Sequence, residues 1–180
     1  ENTLPFHQEL GRYLTKHPKI KMGFNPGTFQ LKLGVAKLRE IYRQTYVLFV
    51  NREEAQKILK INNPKVKILF RGLHRLGPKI VVITDGPDGS YFSDGQNEYF
   101  MPAYPDPKPP LERTGAGDAF STGFMAALVY GRPVTEAMRW APVNSMSVVQ
   151  EIGAQRGLLT KPKLLNLLKK APKNYQPKKI

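Results

Sequence analysis

The chain has 180 residues, of which 41% are hydrophobic and 23% charged, enough apolar content for a packed core and too much for a disordered chain. It contains no cysteine, which excludes a disulfide framework, a Cys-based zinc site and a Cys nucleophile, and no apolar run approaches the roughly 18 residues needed to span a membrane. The formal charge of +14 is uneven: residues 1–80 hold 16 basic and 5 acidic side chains, residues 81–160 hold 5 and 9, and residues 161–180 hold 7 and 0.

The opening ENTLPFHQEL lacks the basic-then-apolar order of a secretory signal and has no initiating Met. It reads as a chain entered midway, with the cytoplasm as the default location. Leu4–His17 is expected to be helical, followed by a short strand, Lys19–Phe24, ended by the turn signal Asn25-Pro26-Gly27. Residues 28–44 place Leu31, Val35, Leu38 and Ile41 at helical spacing, and Tyr46–Val50 (YVLFV) is a continuous apolar run of the kind buried on both faces. A helix is expected from Asn51 and another over Val66–Leu76, after Pro64. Lys79–Thr84 (KIVVIT) is the next buried strand, and Ser90–Ser93 and Glu98–Met101 flank the hairpin signal Asp94-Gly95.

Five prolines in residues 102–110 mark an extended connection. Gly115–Tyr130 reads as a small-residue loop running into a helix that closes at Gly131. Ala137–Gln150 is expected to be helical with a bend at Pro142, and Lys163–Lys170 to be a short amphipathic helix. Residues 171–180 are expected to fray. Alternating strands and helices with buried apolar strands predict an α/β domain with a largely parallel sheet. Ligands in such sheets bind beyond the carboxyl ends of the strands, which points to the loops after Val50, after Thr84 and before Asp118.

Thr114-Gly115-Ala116-Gly117-Asp118 sits at a helix start, where glycines let backbone N–H groups converge and the helix dipole adds positive potential. Such a nest suits an anion whose charge grows during reaction. A carboxylate beside it is a poor binding device but a useful proton acceptor for an attacking hydroxyl. An ordinary N-terminal cap explains Gly115–Asp118 equally well. In the helix that follows, Phe120, Phe124, Ala127 and Leu128 form a core stripe, and Ala119, Gly123 and Ala126 permit close packing.

The segment ERTGAGDAFSTGFMAAL resembles the second signature of the ribokinase-like (PfkB) carbohydrate and nucleoside kinases, D-T-T-G-A-G-D-x-F. The resemblance runs from Asn25-Pro26-Gly27 to Gly153-Ala154-Gln155 and covers only the carboxyl-terminal part of the family's domain. It implies a three-layer αβα sandwich with a largely parallel sheet, present in incomplete form. Residues 1–160 would form the nucleotide and catalytic side, and residues 161–180 a terminal helix and basic tail. The implied activity is an ATP-dependent phosphotransferase moving the γ-phosphoryl group to a hydroxyl of a sugar or nucleoside. Asp118 would be the base, and the amides of Gly115, Ala116 and Gly117 the anion hole.

Asn51-Arg52-Glu53-Glu54 matches the family's N-x-x-E, which implies that Asn51 and Glu54 serve Mg²⁺ through phosphate or water; a helix capping box is the competing reading. Thr84-Asp85-Gly86-Pro87-Asp88-Gly89 resembles the T-x-G-x-x-G loop beside the nucleotide phosphates, implying roles for Thr84, Gly86 and Gly89, although on its own it reads as a tight turn. Asn144-Ser145 and Gly153–Gln155 resemble the adenine-side segment, and Asn144 also suits a satisfied core amide.

The family usually has Asp-Thr where this chain has Glu112-Arg113. That Asp commonly helps bind a monovalent cation, so K⁺ dependence is left open. Arg113 either contacts a phosphate or pairs with Glu112 or Asp106. No G-x-x-x-x-G-K-[ST] is present, which excludes a P-loop enzyme. His7, His17 and His74 have no metal-ligand spacing and read as surface or incidental positions.

The expected partners are ATP and a small hydroxyl-bearing substrate, with a missing amino-terminal half or a homo-oligomer to complete the fold. Neither a membrane nor a specific nucleic acid is expected. The fragment alone is expected to bind nucleotide weakly and to turn over negligibly. Two rival readings are a basic nucleic-acid-binding protein, driven by the lysine-rich flanks, and a non-catalytic kinase-like fragment.

Overall fold

The computed structural model describes residues 3–180. The chain divides into two compact units. The first runs to Thr84 and includes Tyr91–Glu98; the second holds Asp85–Ser90 and Tyr99–Ile180.

The first unit contains α1 (Leu4–Lys16), β1 (Met22–Phe24), α2 (Thr28–Leu33), α3 (Arg39–Gln44), β2 (Thr45–Asn51), α4 (Arg52–Leu59), α5 (Val66–His74) and β3 (Ile80–Thr84). β1, β2 and β3 run parallel as neighbours in that order. Leu48 lies opposite Val81, and Val50 opposite Ile83. Val47, Leu48, Phe49 and Val50 are all buried, as are Ile80–Ile83. Burial on both faces is why these strands read as unbroken apolar runs. Leu48, Val50, Val81 and Ile83 share one core with Ile41 and Tyr42 of α3, Ala55 of α4, and Leu69, Phe70 and Leu73 of α5.

Two expectations for this unit change. The helix expected over residues 28–44 is two helices, because α2 ends at Gly34 and turns occupy the residues before α3. The apolar spacing continues across the break, so periodicity alone does not register it. The histidines also differ from expectation. His7 is buried, its Nδ1 donating to the Thr3 carbonyl at 2.6 Å and its Nε2 accepting from the Gln30 amide at 3.3 Å. His74 donates from Nδ1 to the Pro78 carbonyl and meets the Ser93 hydroxyl through Nε2, at 2.9 and 3.0 Å. Both are structural ties; only His17 is exposed.

β4 (Ser90–Ser93) precedes the expected Asp94-Gly95 turn, where the Asp94 carboxylate accepts the N–H groups of Gln96 and Asn97. The second unit contains β5 (Glu98–Met101), α6 (Ala116–Val129), α7 (Val134–Val149), α8 (Lys161–Lys169) and β6 (Lys178–Lys179). α6 buries Ala119, Phe120, Gly123, Phe124 and Ala127 on one stripe. Burying a side chain such as Phe124 contributes about 1.5–3 kcal/mol. A Cβ on Gly123 would stand 3.1 Å from the Asn144 Cβ, so α6 and α7 approach closely. α7 continues through the buried Pro142 and starts earlier than expected, with Pro133 as its N-cap.

The tail is anchored rather than frayed. Tyr175 is 2% exposed, donates its hydroxyl to the Arg139 carbonyl at 2.7 Å and packs edge-on against Tyr104. β6 then pairs antiparallel with β5. β1–β2 and β2–β3 pair parallel and β5–β6 antiparallel, giving an α/β fold with mixed strand pairing. Among the described residues no helix is long and apolar enough to cross a membrane.

Candidate functional site

Asn51 and Thr84 end β2 and β3 and are register partners. Neighbouring strands lie about 4.8 Å apart, so the Asn51–Glu54 turn stands beside Thr84. Asn51 caps α4 by accepting the Glu54 N–H at 2.8 Å, and the Glu54 carboxylate accepts the Asn51 N–H at 2.8 Å. The capping box is therefore real, and it fixes the Glu54 carboxylate at the carboxyl edge of the strands. Burial, reinforced by the negative charge of Glu54, pushes the Tyr42 phenol up to about 12.

No cluster of three or more metal-ligating side chains occurs among the described residues. That donor set suits Mg²⁺ only if phosphates and water supply most of its ligands, which is how Mg²⁺ usually binds in kinases.

The loop after Thr84 is a self-closed turn. The Asp85 N–H donates to the Gly89 carbonyl at 2.9 Å, and a short 3₁₀ turn covers Gly86–Asp88. Gly89 has φ 104°, and a Cβ there would lie 2.5 Å from the Met101 carbonyl. Only glycine fits that close approach.

The Gly115–Asp118 segment starts α6 as expected. Gly115 is the N-cap at φ 80°, and a Cβ on it would lie 2.6 Å from the Ala154 Cβ. The helical ladder begins with the Ala119 N–H donating to the Gly115 carbonyl at 2.8 Å. Gly117 and Asp118 belong to the first turn of the helix. The Ala116 N–H donates to the Arg113 carbonyl at 3.2 Å. Gly117 and Asp118 are exposed, and a Cβ on Gly117 would meet nothing within 4 Å. That side of the first turn faces solvent.

Asn144 is 4% exposed, and both ends of its amide are engaged. Its Nδ2 donates to the Ala119 carbonyl at 2.8 Å, and its Oδ1 accepts the Leu159 N–H at 3.1 Å. The Ser145 hydroxyl donates to the Ala116 carbonyl at 3.0 Å. These two bonds pin the start of α6 to α7.

Glu112 accepts the Gly153 N–H at 2.8 Å. The Thr114 hydroxyl and that N–H hold its carboxyl below the usual glutamate range. Arg113 is exposed and pairs with neither Glu112 nor Asp106; the Asp106 carboxylate meets the Gln150 amide instead. The Glu112 carboxylate is thus met by hydrogen-bond donors.

Residues 19–161 match the family described as pfkB family carbohydrate kinase, and the chain belongs to that family. It is 36% identical over 141 residues to a cytidine kinase of Thermococcus kodakarensis, covering 77% of this chain and 49% of that protein. It is also 36% identical over 112 residues to a ribokinase of Bacillus subtilis, covering 59% of this chain and 38% of that protein. The structure of Arabidopsis thaliana ribokinase complexed with ribose and ATP shares the fold, with a TM-score of 0.79 at 22% identity over 91% of this chain and 52% of that one. The chain spans about half the length, or less, of these relatives.

Proposed function

We propose that the protein is the nucleotide- and acid–base-bearing part of an ATP-dependent kinase that phosphorylates a hydroxyl of a sugar or nucleoside in the cytoplasm. The observation that carries this reading is the start of α6. An exposed carboxylate, Asp118, stands in the first helical turn at the positive end of the α6 dipole, on a turn pinned by Ser145, Asn144 and Ala154.

In the proposed reaction the acceptor hydroxyl oxygen bonds to the γ-phosphorus, and the bond from that phosphorus to the β–γ bridging oxygen breaks. ADP leaves with that electron pair, and the hydroxyl proton passes to the Asp118 carboxylate. The amides of Gly115 and Gly117 and the positive end of α6 stabilise the charge on the transferring group, whereas the Ala116 N–H is taken by the Arg113 carbonyl. Phosphoryl transfer is mainly positioning and electrostatics, so few side chains are needed.

Thr84, Gly86 and Gly89 are assigned to the nucleotide phosphates: Gly86 offers exposed backbone, while the buried Gly89 closes the turn that presents it. Asn144 serves the nucleotide by positioning the start of α6. Asn51 and Glu54 are assigned to the Mg²⁺ of the nucleotide, which supplies neutralisation of phosphate charge when bound.

Thermal unfolding with saturating Mg·ATP tests the reading. A ligand at a hundredfold its Kd stabilises the native state by about 2.7 kcal/mol, so Tm should rise and the rise should vanish when EDTA removes the metal. A flat response to Mg·ATP, with a salt-sensitive shift on adding DNA, contradicts it and favours nucleic-acid binding through the lysine-rich tail.

A further inference from the structure

After α7 the chain enters residues 150–157, a run of bends and turns, mostly exposed. Such a segment has no ladder to hold its shape, yet it returns to the start of α6 at two adjacent points. Ala154 packs on Gly115, and the Gly153 N–H reaches the Glu112 carboxylate at 2.8 Å. The Thr114 hydroxyl engages the same carboxylate, so one side chain gathers residues from both sides of the contact.

Nearby ties reach other points: Asn144 and Ser145 hold α6 carbonyls, and the Leu111 N–H donates to the Val149 carbonyl at 2.8 Å. Glu112 supplies the side-chain bond to the Gly153–Ala154 turn. A backbone donor on a carboxylate makes a charge-assisted bond, the stronger kind.

We infer that Glu112 is a positioning residue: its carboxylate clamps the Gly153–Ala154 turn onto Gly115 and so fixes the first turn of α6 for nucleotide binding. The inference rests on the kinase reading above for its use, although the clamp itself is defined by geometry alone. Glu112 touches no reacting atom in this account. It acts by holding the turn against which Gly115 is seated. When the side chain is removed, the Gly153–Ala154 turn loses this tie and Gly115 its fixed seat, although Asn144 and Ser145 still hold the α6 carbonyls.

Three measurements on the 180-residue chain decide it: amide exchange at Gly153, the pH titration of the Gly153 amide resonance, and calorimetric affinity for Mg·ATP. In the wild type the Gly153 amide should be protected. Its resonance should titrate below the ordinary glutamate value of about 4.3, with the bond charge-assisted above that transition and weakened to that of a neutral acceptor as pH falls through it.

Glu112→Ala should remove the protection and weaken Mg·ATP binding roughly tenfold, the scale of a lost bond to a charged group. Glu112→Gln keeps an acceptor for Gly153, so it should retain most protection and affinity while abolishing the titration. Unchanged Gly153 exchange in Glu112→Ala overturns the clamp. Lost protection with unchanged affinity overturns its role in nucleotide binding. A wild type that binds no Mg·ATP defeats the kinase reading and the clamp's use together, while Gly153 exchange still decides whether the clamp exists.

Discussion

Asp118→Asn in the full-length protein is expected to lower phosphoryl-transfer turnover by roughly 10²–10⁴-fold, with Mg·ATP affinity little changed. The amide is nearly isosteric with the carboxylate but cannot take up the acceptor's proton at neutral pH. The rival view, that Asp118 merely complements the helix start, predicts something different. An acidic side chain in the first turn contributes about 0.3–1 kcal/mol through the helix dipole, so Asn would cost a little stability and no rate. Steady-state turnover measured beside thermal unfolding separates the two. Near-full turnover in the Asn variant removes Asp118 from the mechanism.

Gly115→Ala is expected to destabilise the second unit by about 3 kcal/mol, from about 1–2 kcal/mol for a left-handed L-residue and a further 1–3 kcal/mol or so for overpacking. The new Cβ would meet the Ala154 Cβ at 2.6 Å and its Cα at 2.8 Å, and the second of these is backbone that cannot move aside cheaply. Gly117→Ala is the control. Its Cβ meets nothing within 4 Å and it lies within α6, so alanine there should be neutral or stabilising by up to about 1 kcal/mol. The chain's one tryptophan, Trp140, is buried in α7 of the same unit and reports its unfolding in urea by fluorescence. Equal stability of Gly115→Ala and wild type would show that the tight seat on Ala154 is not needed.

Both expected effects concern one helix start, and its legibility in sequence was partial for a physical reason. The glycines and Asp118 are contiguous, so the loop-to-helix transition shows in a short window. What holds that transition is distant in the chain: Ala119 and Asn144 are 25 positions apart, and Glu112 and Gly153 are 41 apart. No periodicity encodes such a bond. Asn144 was open to two readings for the same reason, since a buried amide and a ligand-binding amide look alike until their partners are known.

The strands were legible because burial on both faces leaves an uninterrupted apolar run, as in YVLFV and KIVVIT. Helix breaks and anchors were less so. Leu31, Val35, Leu38 and Ile41 keep a helical period through a segment that turns at Gly34. The lysine-rich tail reads as solvated chain, yet Tyr175 reaches Arg139, 36 residues earlier, and is buried there. Its basic charge stays on the surface, with Lys169, Lys170, Lys173, Lys178 and Lys179 exposed. The net charge therefore marks a surface, while the chemistry is assigned to glycine turns and to the carboxylates of Asp118 and Glu54.

The most direct test of that assignment is a residue-resolved NMR titration of the chain with Mg·ATP. The amides of Gly86, Gly117 and Asp118 should shift most and earliest, and EDTA should reverse the shifts. Perturbations confined to the lysines of residues 161–180, with Gly115–Asp118 unmoved, would contradict it.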